Sequence, residues 1–315
     1  MTKIYSVTGE LQLTDLGTTL IHEHLLLRSE EVTAQFPHLY DEADLYDKAV
    51  TALKEVKQRG IDTICDPTVM GIGRDVDFMK RVSEETNVQV IAATGVYSFN
   101  EIPPHFANRE IDYLAQAFIH DIEKGIQGTD IKASFLKCAA DAKGITEDLD
   151  KVFRAVARAH KATGVPIMTH SHPASKNGLN QIRIFEEEGV DFSKVMIGHC
   201  GDTEDLDYLH EILNKGVFIG MDRYSQGPLS IPKRNITLMK LIEQGYSNKM
   251  FLSQDYCCSI DWFDADHEHY KNSPEWSITY LTDKLIPALL EKGVSQGDID
   301  LMMKHNVIDW FTGQK

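Results

Sequence analysis

Residues 165–200 read VPIMTHSHPASKNGLNQIRIFEEEGVDFSKVMIGHC. The stretch opens with a short apolar run, Val165–His170, and closes on another, Lys194–His199. Between them, Leu179–Glu188 repeats its apolar residues at helical spacing. Short apolar runs of this kind predict strands, and the helical period between them predicts a crossover helix. Strand, helix and strand make a βαβ unit, in which the helix returns the chain and the two strands lie parallel.

The unit recurs in both directions. Further strands are predicted at Thr18–Leu26, Asp62–Thr68, Val88–Tyr97, Ile131–Ala139, Val217–Arg223 and Lys249–Asp255. Further helices are predicted at Leu45–Arg59, Asp75–Thr86, Ile111–Lys124, Glu147–Thr163, Asp205–Asn214 and Arg234–Gln244. Arg59-Gly60, Lys124-Gly125 and Lys215-Gly216 read as helix stops, with a cation near the last carbonyls and a glycine after it. Eight such units fill residues 1–315, and no linker, low-complexity tract or abrupt charge shift divides them. The prediction is a single α/β domain, a (β/α)8 TIM barrel. An open doubly wound sheet is the alternative, but Gly71-Ile72-Gly73 is only a fragment of a dinucleotide fingerprint. Two stretches break the rhythm: Cys257–Pro274, with Trp262, Phe263 and Tyr270, and Ser98–Arg109. Both leave strands at the end where barrel enzymes build their sites, so both read as walls of a substrate pocket.

Composition excludes several partners. A formal net charge of -16, from 48 acidic and 32 basic residues, repels phosphate backbones and anionic lipid, so neither nucleic acid nor a membrane is expected. No apolar run is long enough to span a bilayer, and the first residues lack the pattern of a secretory signal. Cys65, Cys138, Cys200, Cys257 and Cys258 lack CxxC spacing and read as reduced thiols of a cytoplasmic protein. The expected partner is a neutral or weakly charged small molecule.

The polar residues at the strand ends carry the chemistry. His22 and His24, two apart in LIHEH, project from one face of a strand. Lys137 follows in SFLKC, His170 in PIMTH, His199 in VMIGH and Asp255 in FLSQD. One strand-end histidine is ordinarily structural; six ligand-type residues at the same end of one barrel predict a metal site. Imidazoles with a carboxylate suit zinc, iron, cobalt or manganese. Four histidines and an aspartate exceed the needs of one catalytic ion, so two divalent ions are expected. Lys137 is out of place, because an ammonium repels a cation. Either it pairs with Asp141 or another acid, or it is deprotonated and chemically altered. His172, before Pro173, and the pair His267 and His269 in DADHEHY read as loop residues outside the site.

At these residues the chain resembles the phosphotriesterase family of the amidohydrolase superfamily, and within it the phosphotriesterase-like lactonases. HEH at 22–24, Lys137, THSH from Thr169, IGHCGD from Ile197, GMDR from Gly220 and SQDYCC from Ser253 follow in family order across nearly the whole chain. The resemblance implies a binuclear centre with His22, His24 and Asp255 on one ion and His170 and His199 on the other. N6-carboxylated Lys137 bridges them. It places Tyr97 and Arg223 beside the substrate and gives Asp255 the role of proton acceptor. It makes DYCCSIDW the start of an acyl-chain loop, and Ile72, Cys257, Trp262 and Phe263 the expected channel lining. KHNVIDWF around Asn306 departs from the Asn-Pro of relatives, and 263–270 is more acidic and histidine-rich than the pattern.

The expected function is therefore a lactonase acting on N-acyl homoserine lactones, a quorum-quenching activity, or on related aliphatic lactones. Phosphotriester hydrolysis is an expected side activity, and a homodimer the expected assembly. The alternatives are a dedicated phosphotriesterase and a metal-stabilised binding protein without turnover.

Overall fold

A computed structural model describes residues 3–227, 229–264 and 266–313. Its strands are β1 (Thr19–Leu20), β2 (Thr63–Asp66), β3 (Gln89–Val96), β4 (Phe135–Ala139), β5 (Ile167–His170), β6 (Val195–Ile197), β7 (Phe218–Met221) and β8 (Met250–Leu252). Each pairs in parallel with its successor, giving one eight-stranded sheet in chain order. The crossovers are α1 (Glu42–Gln58), α2 (Val76–Thr86), α3 (Ile111–Glu123), α4 (Glu147–Thr163), α5 (Asn177–Glu188), α6 (Leu206–Leu213) and α7 (Ile231–Glu243). This is a nearly closed (β/α)8 barrel. No helix among the described residues is long and apolar enough to cross a membrane.

Capping sets the helix ends. α1 starts at Glu42 rather than Leu45 because Asp41 accepts hydrogen bonds from the Ala43 and Asp44 amides. Thr146 caps α4 through the Leu149 amide. In both, polar residues precede the first apolar position, so α1 and α4 begin before their apolar period does.

The first strand departs from expectation. Thr18–Leu26 is not continuous: β1 pairs with β2, and the chain then bends at Ile21–His22. Glu23–His24 pairs in parallel with Tyr256–Cys257, beyond β8. The Asp255 amide donates to His22 O at 3.0 Å, and the Cys258 amide to His24 O at 2.9 Å. The bend lets one segment serve two neighbours, which is how the first and last units meet.

Alternation along the strands builds two cores. Phe135, Met168, Met196, Phe218 and Phe251 fill the barrel with Trp310 and Phe311. Leu136, Ile167, Ile197, Ile219 and Leu252 face the helices. Trp310 is fully buried, with its ring 5.7 Å from Phe135 and 6.1 Å from Phe251. The segment lacking Asn-Pro passes through a π-helical turn, Leu301–His305, into the helix Asn306–Thr312. Asn306 is buried there and donates to Ser247 O at 2.8 Å and Met250 O at 2.7 Å, tying this helix to the start of β8.

Candidate metal centre

The period of two that packs the barrel also places the site. Two residues beyond interior Phe135 stands Lys137, and two beyond Met168 stands His170. Four beyond Phe218, just past the end of β7, stands Asp222, whereas Asp255 lies three residues past β8 and is aimed by a turn. Same-parity side chains share a face, so apolar layers give way to polar ones at the C-terminal end.

His22, His24, Lys137, His170, His199 and Asp255 all converge there, and all are buried. His22 Nε2 and His24 Nε2 each lie 3.3 Å from Asp255 Oδ1. Ligand atoms of these three residues lie within 4.8 Å of one another. His170 Nδ1 and His199 Nε2 are 2.9 Å apart. Lys137 Nζ lies 3.4 Å from His22 Nε2. His199 and Asp255 occupy the left-handed region, at φ 61° and 51°. Such strain concentrates where a side chain must be aimed.

Three of the four imidazoles are oriented from behind. His22 Nδ1 donates to Asp222 Oδ2 at 2.8 Å, and Asp222 Oδ1 accepts from the His199 amide at 2.7 Å. His24 Nδ1 donates to Thr68 Oγ1 at 2.8 Å, and Thr68 in turn donates to Asp66. His170 Nε2 donates to Asp141 Oδ2 at 2.8 Å. The opposite ring nitrogen of these three is left as a lone pair facing the centre, the arrangement that metal-ligating histidines adopt. Asp141 thus partners His170, and among the described residues Lys137 makes no ion pair. Asp222 also falls within ligand distance of His22 and His199, but both its oxygens already accept hydrogen bonds.

Burial sets the protonation. It pulls His22 and His170 down to about 4 and His199 well below its ordinary value, so all three imidazoles are neutral near pH 7. It pulls Lys137 down to about 8, against Asp255 and Asp222, which favour its charge. Burial opposes the charge of Asp255, but His22, His24 and Arg223 outweigh it and keep it ionised. Arg223 Nε reaches Asp255 Oδ2 and its Nη1 reaches Asp202 Oδ2, both at 3.1 Å. Neutral imidazoles, an ionised carboxylate and an unpaired lysine are a donor set that fits two divalent ions.

A cavity of about 1110 Å³ opens over these residues. Tyr97, Arg223, Cys257, Trp262 and Phe263 all line it, as do Phe99 and Ile260. Tyr97 donates to His170 Nδ1 at 3.2 Å, and burial holds its hydroxyl protonated, well above its ordinary range. Ile72 does not line the cavity. It is 1% exposed and belongs to the barrel-interior core, its carbonyl accepting from the Arg28 amide at 3.1 Å and so tying that turn to the first unit. His269 corrects the surface reading of DADHEHY. His267 is exposed, but His269 lines the cavity, its ring stacked 4.7 Å from Phe263. Asp222 and Asp66 escaped the reading of the sequence, and Asp141 entered it only as a partner for Lys137; the parity of Asp222 with Phe218 was the one available signal.

The sequence pattern of the Phosphotriesterase family matches residues 2–311. The Aryldialkylphosphatase of Saccharolobus solfataricus is 49% identical over 300 residues, covering 95% of this chain and 96% of its own. The Phosphotriesterase homology protein of Mycobacterium tuberculosis is 39% identical over 317 residues, covering 97% of this chain and 96% of its own. The solved structure of the phosphotriesterase from Mycobacterium tuberculosis superposes with a TM-score of 0.91 at 37% identity, covering 98% of each chain. The family normally uses a binuclear divalent metal centre, which the convergent histidines and aspartate fit. This chain belongs to the phosphotriesterase family and is a metal-dependent hydrolase.

Proposed function

We propose that this enzyme is a binuclear lactonase that hydrolyses N-acyl homoserine lactones or related aliphatic lactones, with phosphotriester hydrolysis as a side activity. The observation that carries the reading is the cavity, which joins a polar floor to an aromatic wall. Tyr97 and Arg223 stand at the floor; Phe99, Trp262 and Phe263 line the wall, with Trp262 6.3 Å from Tyr97 and 6.0 Å from Phe99 between ring centres. A compact polar ring with an apolar tail matches that division.

His22, His24 and Asp255 would hold one divalent ion and His170 and His199 the other, whether zinc, iron, cobalt or manganese. Lys137 would bridge them as a carbamate. Its support is electrostatic: a buried lysine pulled down to about 8 and lacking an ion pair is far more available as the neutral amine that carbon dioxide needs. When bound, such ions acidify water and polarise the electrophilic oxygen. Asp255 accepts the proton of the attacking water and passes it to the leaving alkoxide. Arg223, on Asp255 Oδ2, orients that carboxylate. Tyr97 donates to the developing oxyanion or to the leaving oxygen.

The test is kcat/KM for a series of acyl lactones and one aryl dialkyl phosphate on a single metal form. Each tail methylene buried contributes roughly 0.8 kcal/mol, about fourfold in kcat/KM, until the wall is covered. A higher value for the triester, with no dependence on chain length, would make this a dedicated phosphotriesterase.

A further inference from the structure

Between His22 and His24 stands an acid that strand parity sends to the opposite face. Glu23 is 1% exposed. Its Oε1 accepts from Ser253 Oγ at 2.7 Å, the Gln254 amide at 3.0 Å and Gln254 Nε2 at 3.2 Å. Its Oε2 accepts from the Tyr256 amide at 2.7 Å. All four donors flank Asp255, which sits between them at φ 51°. Gln254 is fully buried and completes the hub: its Nε2 also donates to Ile278 O at 2.8 Å, and its Oε1 accepts from the Leu281 amide at 2.9 Å. Trp276 Nε1 donates to Gln254 O at 3.2 Å, anchoring the far end of the cavity loop.

We infer that Glu23 is a positioning residue: its carboxylate holds the 253–256 turn in the strained form that aims Asp255 at His22 and His24. The inference rests on Asp255 being a metal ligand. A left-handed aspartate is strained and persists only where its surroundings over-determine it. Four hydrogen bonds from the neighbours of Asp255 supply that determination. Backbone N–H groups approach both oxygens, so an amide at this position would turn its own N–H toward one of these donors. The same carboxylate belongs to the strand bearing His22 and His24, so one group sets the separation of all three.

Glu23→Gln and the milder Ser253→Ala, which deletes one donor to Glu23 and the acceptor of the His22 amide, test this. The apoproteins are titrated with zinc against a chromophoric chelator and melted without metal; kcat and KM are measured on the loaded forms. The expected result for Glu23→Gln is roughly 10–100-fold weaker affinity for one ion, with kcat reduced and KM nearly unchanged. Ser253→Ala moves the same way by less, and parental zinc affinity in it overturns the inference even if Glu23→Gln does not fold. Parental zinc affinity in the folded variants, or a loss confined to melting temperature, overturns the inference. Asp255→Asn is titrated alongside. Unchanged affinity there removes the ligand reading and this inference together; weakened affinity there with none in Glu23→Gln removes only the role of Glu23.

Discussion

At the scale of residues, the site is built from histidines whose two nitrogens do different work. One donates to an acid or a hydroxyl behind it; the other faces the centre. His22 with Asp222 and His170 with Asp141 show the pattern, and burial keeps both rings neutral. Asp255 differs, because it both faces the histidines and contacts Arg223. Replacing Asp255 with Asn is expected to lower kcat on the order of 10²–10⁴-fold while sparing KM, since a proton acceptor is lost. Steady-state kinetics on metal-loaded protein checks this, and a change confined to KM would contradict it. Lys137→Ala is expected to abolish tight metal binding, with partial recovery in short carboxylic acids that mimic a carbamate. Full metal content in that variant, measured by elemental analysis, would remove the bridge. The convergence of the ligand-type residues was legible by type and place, but the partners of Asp222 and Glu23 were not, since nothing in an acid's neighbours in sequence tells what it accepts from across the barrel.

At the scale of elements, the floor of the site depends on how closely β3 approaches β4. Gly95 pairs with Lys137, and an added Cβ would lie 1.8 Å from Lys137 O. Its φ of +148° is one that residues with a side chain rarely adopt. Gly95→Ala is expected to push the strands apart at Lys137, costing about 1–3 kcal/mol in backbone strain alone and weakening metal binding. Thermal melts and metal analysis of the purified variant measure both effects; parental values for each would show that the strands tolerate the separation. The helices were legible because their apolar period is local. The broken first strand was not, because its bend answers to Tyr256–Cys257, which lies at the other end of the chain.

At the scale of the molecule, burying this many histidines makes folding depend on pH. His22 and His170 have an ordinary value of 6.5 in the unfolded chain and about 4 when folded. Between those limits the unfolded chain binds more protons, so stability rises with pH from about 4 to 6.5 and is lost on acidification through that window. Each histidine contributes a slope of up to about 1.4 kcal/mol per pH unit. Chelated protein melted at pH 7, 6 and 5 is expected to lose stability steeply, and a flat profile would show that the rings titrate in the fold as they do in the unfolded chain. Added divalent ion opposes the loss by mass action, by about 2.7 kcal/mol at a hundredfold excess over Kd.

By itself, the sequence determined the barrel, its helices and the identities of the ligand-type residues. Those rest on periods of two and 3.6 that the covalent chain imposes locally, and on residue types placed where a strand ends. Only the tertiary structure decided which of them meet. The seam joining His22 to Ser253 spans 231 residues, and closing it selected Glu23 as the partner of the turn around Asp255. The same packing sank Ile72 into the core and brought His269 to the cavity. Contacts of this kind come from the closure of the whole barrel, which leaves no periodic trace in any local stretch of chain.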